Sequence, residues 1–89
     1  MSIQSFRCAD TRTLFTSGKS AKFASIKRVA ERKLTQLDAA PSLSFMSSPP
    51  GNDLKAYAGA WHVRINAQWR LTFKWGTNGP FDVIIEDPH

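Results

Sequence analysis

The chain predicts an α+β fold: an antiparallel β-sheet with two N-terminal helices packed on one face, in the order β-α-α-β-β-β. Three observations carry that expectation. A single apolar stripe at helical spacing runs through Phe23, Ile26, Val29, Ala30, Leu34 and Leu37. Three later segments alternate, with apolar side chains at 61, 63 and 65, at 69, 71, 73 and 75, and at 81, 83 and 85; Ile84 is the exception. The links between them, Asn66-Ala67-Gln68 and Gly76-Thr77-Asn78-Gly79, are of hairpin length.

Each element has its own local reason. Ile3 to Phe6 alternates as a short strand does. Asp10 is placed to cap a brief helix over Thr11 to Thr16, since its carboxylate accepts from amides of the first turn. Gly18 then ends that helix. Ser20 is placed to cap a longer helix reaching Asp38, and Ala39-Ala40-Pro41 stops it, because proline disfavours helical geometry in the residue before it. Residues 42–53 read as a loop, rich in turn formers at Ser47-Ser48-Pro49-Pro50-Gly51-Asn52. The three strands follow, over 61–65, 69–75 and 81–86.

Eighty-nine residues are read as one domain, 1–89, with a thin core. There is no apolar run long enough for a membrane span, and the N-terminus lacks the pattern of a signal peptide. Cys8 stands alone, which excludes an internal disulfide and a zinc cluster and fits a reducing cytoplasm; its expected role is that of a small packed residue. The net charge is +5, from twelve Lys and Arg against seven Asp and Glu. Most of the excess falls between Lys19 and Lys33, where Lys22, Lys27, Arg28, Arg32 and Lys33 lie mostly off the apolar stripe. Such a patch suits nucleic acid or an acidic protein partner; it is equally what a solvated helix face looks like.

Alternation also sorts the strands into two faces. If the odd residues pack beneath the helices, His62, Arg64, Arg70, Thr72 and Lys74 share the opposite, cationic face. The loop carrying Lys55 and the C-terminal His89 are positioned to converge on it. Trp61, Trp69 and Trp75 fall at inward positions and are expected in the core rather than as base-stacking platforms.

Several pieces, spread over nearly the whole chain, resemble the HigB group of the RelE/ParE superfamily, the plasmid-maintenance killer proteins. They are Ile3-Gln4-Ser5-Phe6, Leu14 to Lys19, Arg32 to Ala40, Ser48-Pro49-Pro50-Gly51-Asn52, Val63-Arg64-Ile65-Asn66 with Gln68-Trp69-Arg70, and Asp87 with His89. The Pro-Pro-Gly-Asn and Asn-x-Gln-Trp-Arg pieces are the most specific. The resemblance implies a ribosome-dependent mRNA endoribonuclease that works without metal or cofactor. It implies a helix-turn-helix (HigA-like) antitoxin as partner, operator DNA contacted only through that antitoxin, and no membrane. In that chemistry the ribose 2′-OH attacks the adjacent phosphate, so a base, an acid and cations for the phosphoryl charge are required. By family position Arg70 is the phosphate-stabilising cation, Lys55 a second basic group, and Asp87 and His89 the acidic and histidine members of the C-terminal site. Arg64, His62, Lys74, Lys27, Arg28 and Arg32 are expected to contribute to RNA binding, through positive field and backbone contacts.

The chain departs from the family pattern at three places. The usual Asp-Tyr-His end is Asp87-Pro88-His89, which removes a ring and an amide. Asn52 or Asp53 stands where some members carry a histidine, and Ala56-Tyr57-Ala58-Gly59-Ala60 replaces a charged stretch. Tyr57 is a candidate substitute for the absent tail tyrosine. These departures leave open a second function, a weakened homologue acting as antitoxin-binding module and co-repressor. Gyrase inhibition of the ParE kind is a third, less consistent with Arg70 and the acid–histidine end.

Overall fold

The structure is a computed structural model and describes residues 2–88. It has the expected α+β architecture: two helices on one face of an antiparallel sheet. Helix α1 spans Ala9–Ser17 and α2 spans Lys27–Ala39. The strands are β1 Lys55–Tyr57, β2 Ala60–Arg64, β3 Arg70–Gly76 and β4 Gly79–Glu86, in the spatial order β1-β2-β3-β4. Among the described residues no helix is long and apolar enough to cross a membrane.

Asp10 does not cap α1: the helix starts at Ala9, its N-cap is Cys8 without a side-chain cap bond, and Asp10 lies inside the first turn. Gly18 sits at φ 71 and its N–H donates to the Leu14 carbonyl, the left-handed cap that only glycine adopts without penalty. Ser20 does not cap α2, whose N-cap is Ile26; its Oγ accepts from the Phe23 N–H at 3.0 Å in a turn well before that helix. The expected long helix is interrupted by a 3₁₀ turn at Ala24–Ile26, and α2 starts only at Lys27. Phe23, the first apolar residue of the stripe, is fully buried, with its ring edge-on to Trp69 at 5.4 Å. Ala40 is extended before Pro41, as the proline demands.

The N-terminal strand is reduced to an isolated parallel bridge between Phe6 and Val83. Gln4, Val83 and Arg7 still exchange backbone hydrogen bonds along β4: Gln4 N–H to Pro80, Val83 N–H to Ser5, and Arg7 N–H to Val83. The Ile85 N–H on the same edge donates to the Thr11 hydroxyl at 3.0 Å, so α1 and the N-terminal segment together cover that edge of the sheet. The opposite edge is β1, a strand that the sequence pattern does not predict. It is short, exposed and lysine-bearing, which suits an unprotected edge. Ala58 and Gly59, both at positive φ, turn it into β2 in the geometry that right-handed strand twist favours.

The core lies between α2 and the sheet. Leu14, Phe23, Leu34, Leu37, Val63, Leu71, Phe73, Val83 and Ile85 are at its centre, and the three tryptophans pack against it as expected. Two details differ from simple alternation. A register shift opposite Thr72–Lys74, with Asp82 at φ 52, pairs Phe81 with Lys74 and takes it out of the core set. Residues 42–53 are not featureless: they form 3₁₀ turns at Leu43–Ser47 and Pro50–Asn52, and Met46 is fully buried.

A further expectation fails at Lys33. Sequence spacing groups Lys33 with the solvated cations of α2, but it is only 6% exposed. Its ammonium donates to Asn52 Oδ1 at 2.7 Å and to the Arg64 carbonyl at 2.6 Å. Burial, then the charges of Arg32 and Arg64, push its pKa below the ordinary lysine value.

Candidate nucleic-acid interface

Strand pairing fixes which side chains share the face turned away from the helices. Lys55 pairs with His62, His62 with Thr72, and Thr72 with Ile84, which makes one row. Arg64, Arg70 and Glu86 make the next. Paired residues of an antiparallel sheet point the same way, so Lys55, His62, Arg64 and Arg70 lie side by side. The expected cationic face is therefore formed. Thr72 belongs to it by register but is buried, at 3% exposure.

Arg70 is held at the start of β3. Asn66 Oδ1 accepts from the Gln68 and Trp69 amides at 2.9 and 2.7 Å, building the turn before it. Arg70 Nη1 then donates to the Asn66 and Trp69 carbonyls, at 2.5 and 3.1 Å. Gln68 Nε2 reaches Asp87 Oδ2 at 3.2 Å, which draws the C-terminal segment to the same corner. The Asn-x-Gln-Trp-Arg motif thus has a physical content: it fixes a guanidinium and tethers an acid beside it. His89 lies outside the described residues.

Lys55 is not on a loop but on β1, in an exposed ion pair with Asp53 at 3.3 Å. Lys74 similarly meets Asp82 at 3.8 Å. Such surface pairs hold weakly and open readily to a phosphate. Lys27, Arg28 and Arg32 lie on α2. The helical layer covers the other face of the sheet, so these cations do not join Lys55 and Arg70.

His62 sits at the centre of the face. Tyr57 stacks on it, ring centroids 5.0 Å apart and planes 14° from parallel. Its pKa is pushed below the ordinary histidine value, chiefly by burial and then by Arg70; Lys55 acts in the same sense, and Asp53 and Glu86 oppose. Beside it opens a hollow of about 520 Å³ lined by Arg7, Tyr57, Ala58, Ala60, Thr72, Lys74 and Glu86. Arg7 and Glu86 were not anticipated here. One further step of the alternation seen in Ile3 to Phe6 would have put Arg7 on this side, since Phe6 bridges to the inward-facing Val83. Among the described residues no three His, Cys, Asp or Glu side chains come together as a metal site.

Asn52 is fully buried. Its Nδ2 donates to the Met46 and Ser48 carbonyls and to Gln36 Oε1, and its Oδ1 accepts from Lys33. It ties the turn before β1 to α2.

Comparison with known proteins identifies the family. The family model of the RelE-like toxin HigB, of type II toxin–antitoxin systems, matches residues 4–89. The chain is also 37% identical to Toxin HigB-1 of Vibrio cholerae serotype O1 (strain ATCC 39315 / El Tor Inaba N16961), over 74% of this chain and 73% of that protein. The chain belongs to the HigB-like family of RelE-type toxins of type II toxin–antitoxin systems.

Proposed function

We propose that the protein is an mRNA endoribonuclease that acts on the ribosome, is neutralised by a helix-turn-helix antitoxin, and reaches operator DNA only through that antitoxin. It works as one domain, in the cytoplasm, without metal or cofactor. The observation that supports this most is the placing of Lys55, His62, Arg64 and Arg70 in two adjacent rows on one open sheet face. A strand of RNA laid across that face meets cations at the spacing of neighbouring β-strands, about 4.8 Å. Arg70 takes the charge that gathers on the phosphoryl oxygens as the 2′ oxygen attacks, because its guanidinium is already held in place and needs no reorganisation. Lys55 leaves Asp53 for the same phosphate. Asp87 and His89 are, by family position, the acidic and histidine members of the C-terminal part of the site, and Arg64, Lys74 and Arg7 guide the flanking backbone.

The test is Arg70→Ala in a translation reaction with purified ribosomes, read by primer extension of the mRNA. Cleavage falls by about 10²-fold or more, the scale for one preorganised donor, while the fold and antitoxin binding persist. A folded variant that cleaves as fast as the parent removes Arg70 from the reaction. Pro88 favours a second reading, a weak enzyme that serves mainly as antitoxin-bound co-repressor, since it offers neither ring nor N–H beside Asp87. Pro88→Tyr decides between them. A rise in cleavage supports a weakened enzyme, and an unchanged rate shows that position 88 is not what sets activity.

A further inference from the structure

Among the described residues, two buried side-chain polar atoms have no hydrogen-bond partner: His62 Nδ1 and Thr72 Oγ1. They belong to one cross-strand pair at the middle of the cationic face. Buried polar atoms are normally satisfied, and an orphaned one destabilises the fold. Two orphans in one pair therefore mark a place where something other than stability has set the residues. The stack of Tyr57 on the imidazole fixes the ring plane. Lys55 lies in the same row and Arg70 in the next, so a phosphate held by both is within reach of the ring.

We propose that His62 is a catalytic residue of this face, the base that takes the 2′-hydroxyl proton of RNA, with Thr72 and Tyr57 as its positioning residues. The proposal rests on the RNA-cleaving reading and deepens it. Nδ1 is buried, so Nε2 is assigned as the reacting nitrogen, in the tautomer that carries its proton on Nδ1. The 2′-OH proton passes to Nε2 as the 2′ oxygen bonds to phosphorus. The bond from phosphorus to the 5′ oxygen breaks, and that oxygen takes a proton from water. The imidazolium then returns its proton to the hydroxide so formed. The products are a 2′,3′-cyclic phosphate and a 5′-OH end. The base must be neutral to act. Burial with Arg70 and Lys55 favours the neutral ring over the opposing carboxylates of Asp53 and Glu86.

The experiment measures ribosome-dependent cleavage by the full chain across pH of about 5 to 8, the range in which histidine titrates. The parent loses activity as acid protonates His62, with the midpoint below the ordinary value of 6.5. His62→Gln, with its fold checked by circular dichroism and antitoxin binding, cleaves about 10²-fold more slowly or worse and loses that acid limb. Thr72→Val lowers kcat more than it raises KM and moves the limb, an effect that a purely structural residue would not have. A folded His62→Gln variant with the parent's rate and pH profile overturns the proposal while leaving the RNA-cleaving reading intact. If His62→Gln does not fold, Thr72→Val decides, and an unmoved acid limb overturns it. A parent that cleaves no mRNA at any pH overturns the RNA-cleaving reading and this role together.

Discussion

The molecule contains two buried polar nodes, one on each side of strand β2, and they are built in opposite ways. At the first, the Lys33 ammonium has two acceptors and the Asn52 side chain makes four hydrogen bonds. At the second, His62 Nδ1 and Thr72 Oγ1 have none among the described residues. The first node joins α2, the turn before β1 and the backbone of β2, so it is structural. The second faces the open side, stacked under Tyr57 and close to both Arg70 and Glu86, and in the proposed role it receives RNA. A buried polar group that is fully bonded rigidifies a fold, whereas one left incomplete costs stability. In a chain of 89 residues that contrast separates scaffold from site.

The largest effect expected is at the first node. Asn52→Ala removes the Lys33 acceptor and three donated bonds together. Hydrogen bonds to a charged group contribute about 1.5–3 kcal/mol, so destabilisation by roughly 3 kcal/mol or more is expected. In thermal unfolding that appears as a fall of about 12–24 °C. A variant that melts with the parent would mean that the node is not structural, and the contrast between the two would collapse.

Lys33→Met is next, at about 1–3 kcal/mol, because Asn52 Oδ1 and the Arg64 carbonyl are left without their donor. It also carries a pH signature. The folded pKa of Lys33 lies below its ordinary value of 10.5. Between those two values the unfolded chain binds more protons than the folded one, so parent stability rises with pH across that window. Denaturant unfolding at alkaline pH should show this rise in the parent and not in Lys33→Met. The same slope in both proteins would assign it to other groups.

The second node predicts the opposite sign. Thr72→Val removes an orphaned hydroxyl at nearly constant volume, and stability should increase by about 1 kcal/mol. A destabilised variant would show that Thr72 Oγ1 has a partner in solution and that the two nodes are alike.

The smallest effect concerns the outer face of α2, which serves as a control for both nodes. Reversing charge at Lys27 and Arg28 should change stability by less than about 0.5 kcal/mol. If these residues touch ribosomal RNA, each phosphate that is no longer neutralised reduces the slope of log affinity against log salt by about 0.9. An unchanged slope in ribosome binding leaves them as a solvated face.

Much of the fold was legible in the sequence because it is written in short spacings. The stripe from Phe23 to Leu37 gave α2 its buried face, and Gly18 and Pro41 marked helix ends. Alternation through residues 61 to 75 assigned Arg64 and Arg70 to the open face and the tryptophans to the core. It put Thr72 on the right face but did not show its burial, which depends on what covers the strand, and it misplaced Phe81, because one extra residue in β4 reverses the parity. The short edge strand β1 escaped prediction because Lys55-Ala56-Tyr57 is too brief to show a period.

By itself, then, the sequence determined the α+β class, the faces of its long elements, and the family motifs that point to a HigB-like toxin. Only the tertiary structure decided which polar residues are scaffold and which are available for chemistry. Lys33 looked like its neighbours Arg32 and Arg28 until Asn52 and Arg64, 19 and 31 residues away, supplied its acceptors. His62 looked like one more surface cation until the pairing of β1, β2 and β3 stacked Tyr57 on it and set Thr72 beside it. The physical reason is the same in both cases. Secondary structure follows from neighbours along the chain, whereas the state of a polar group depends on partners and solvent that only the folded arrangement brings to it.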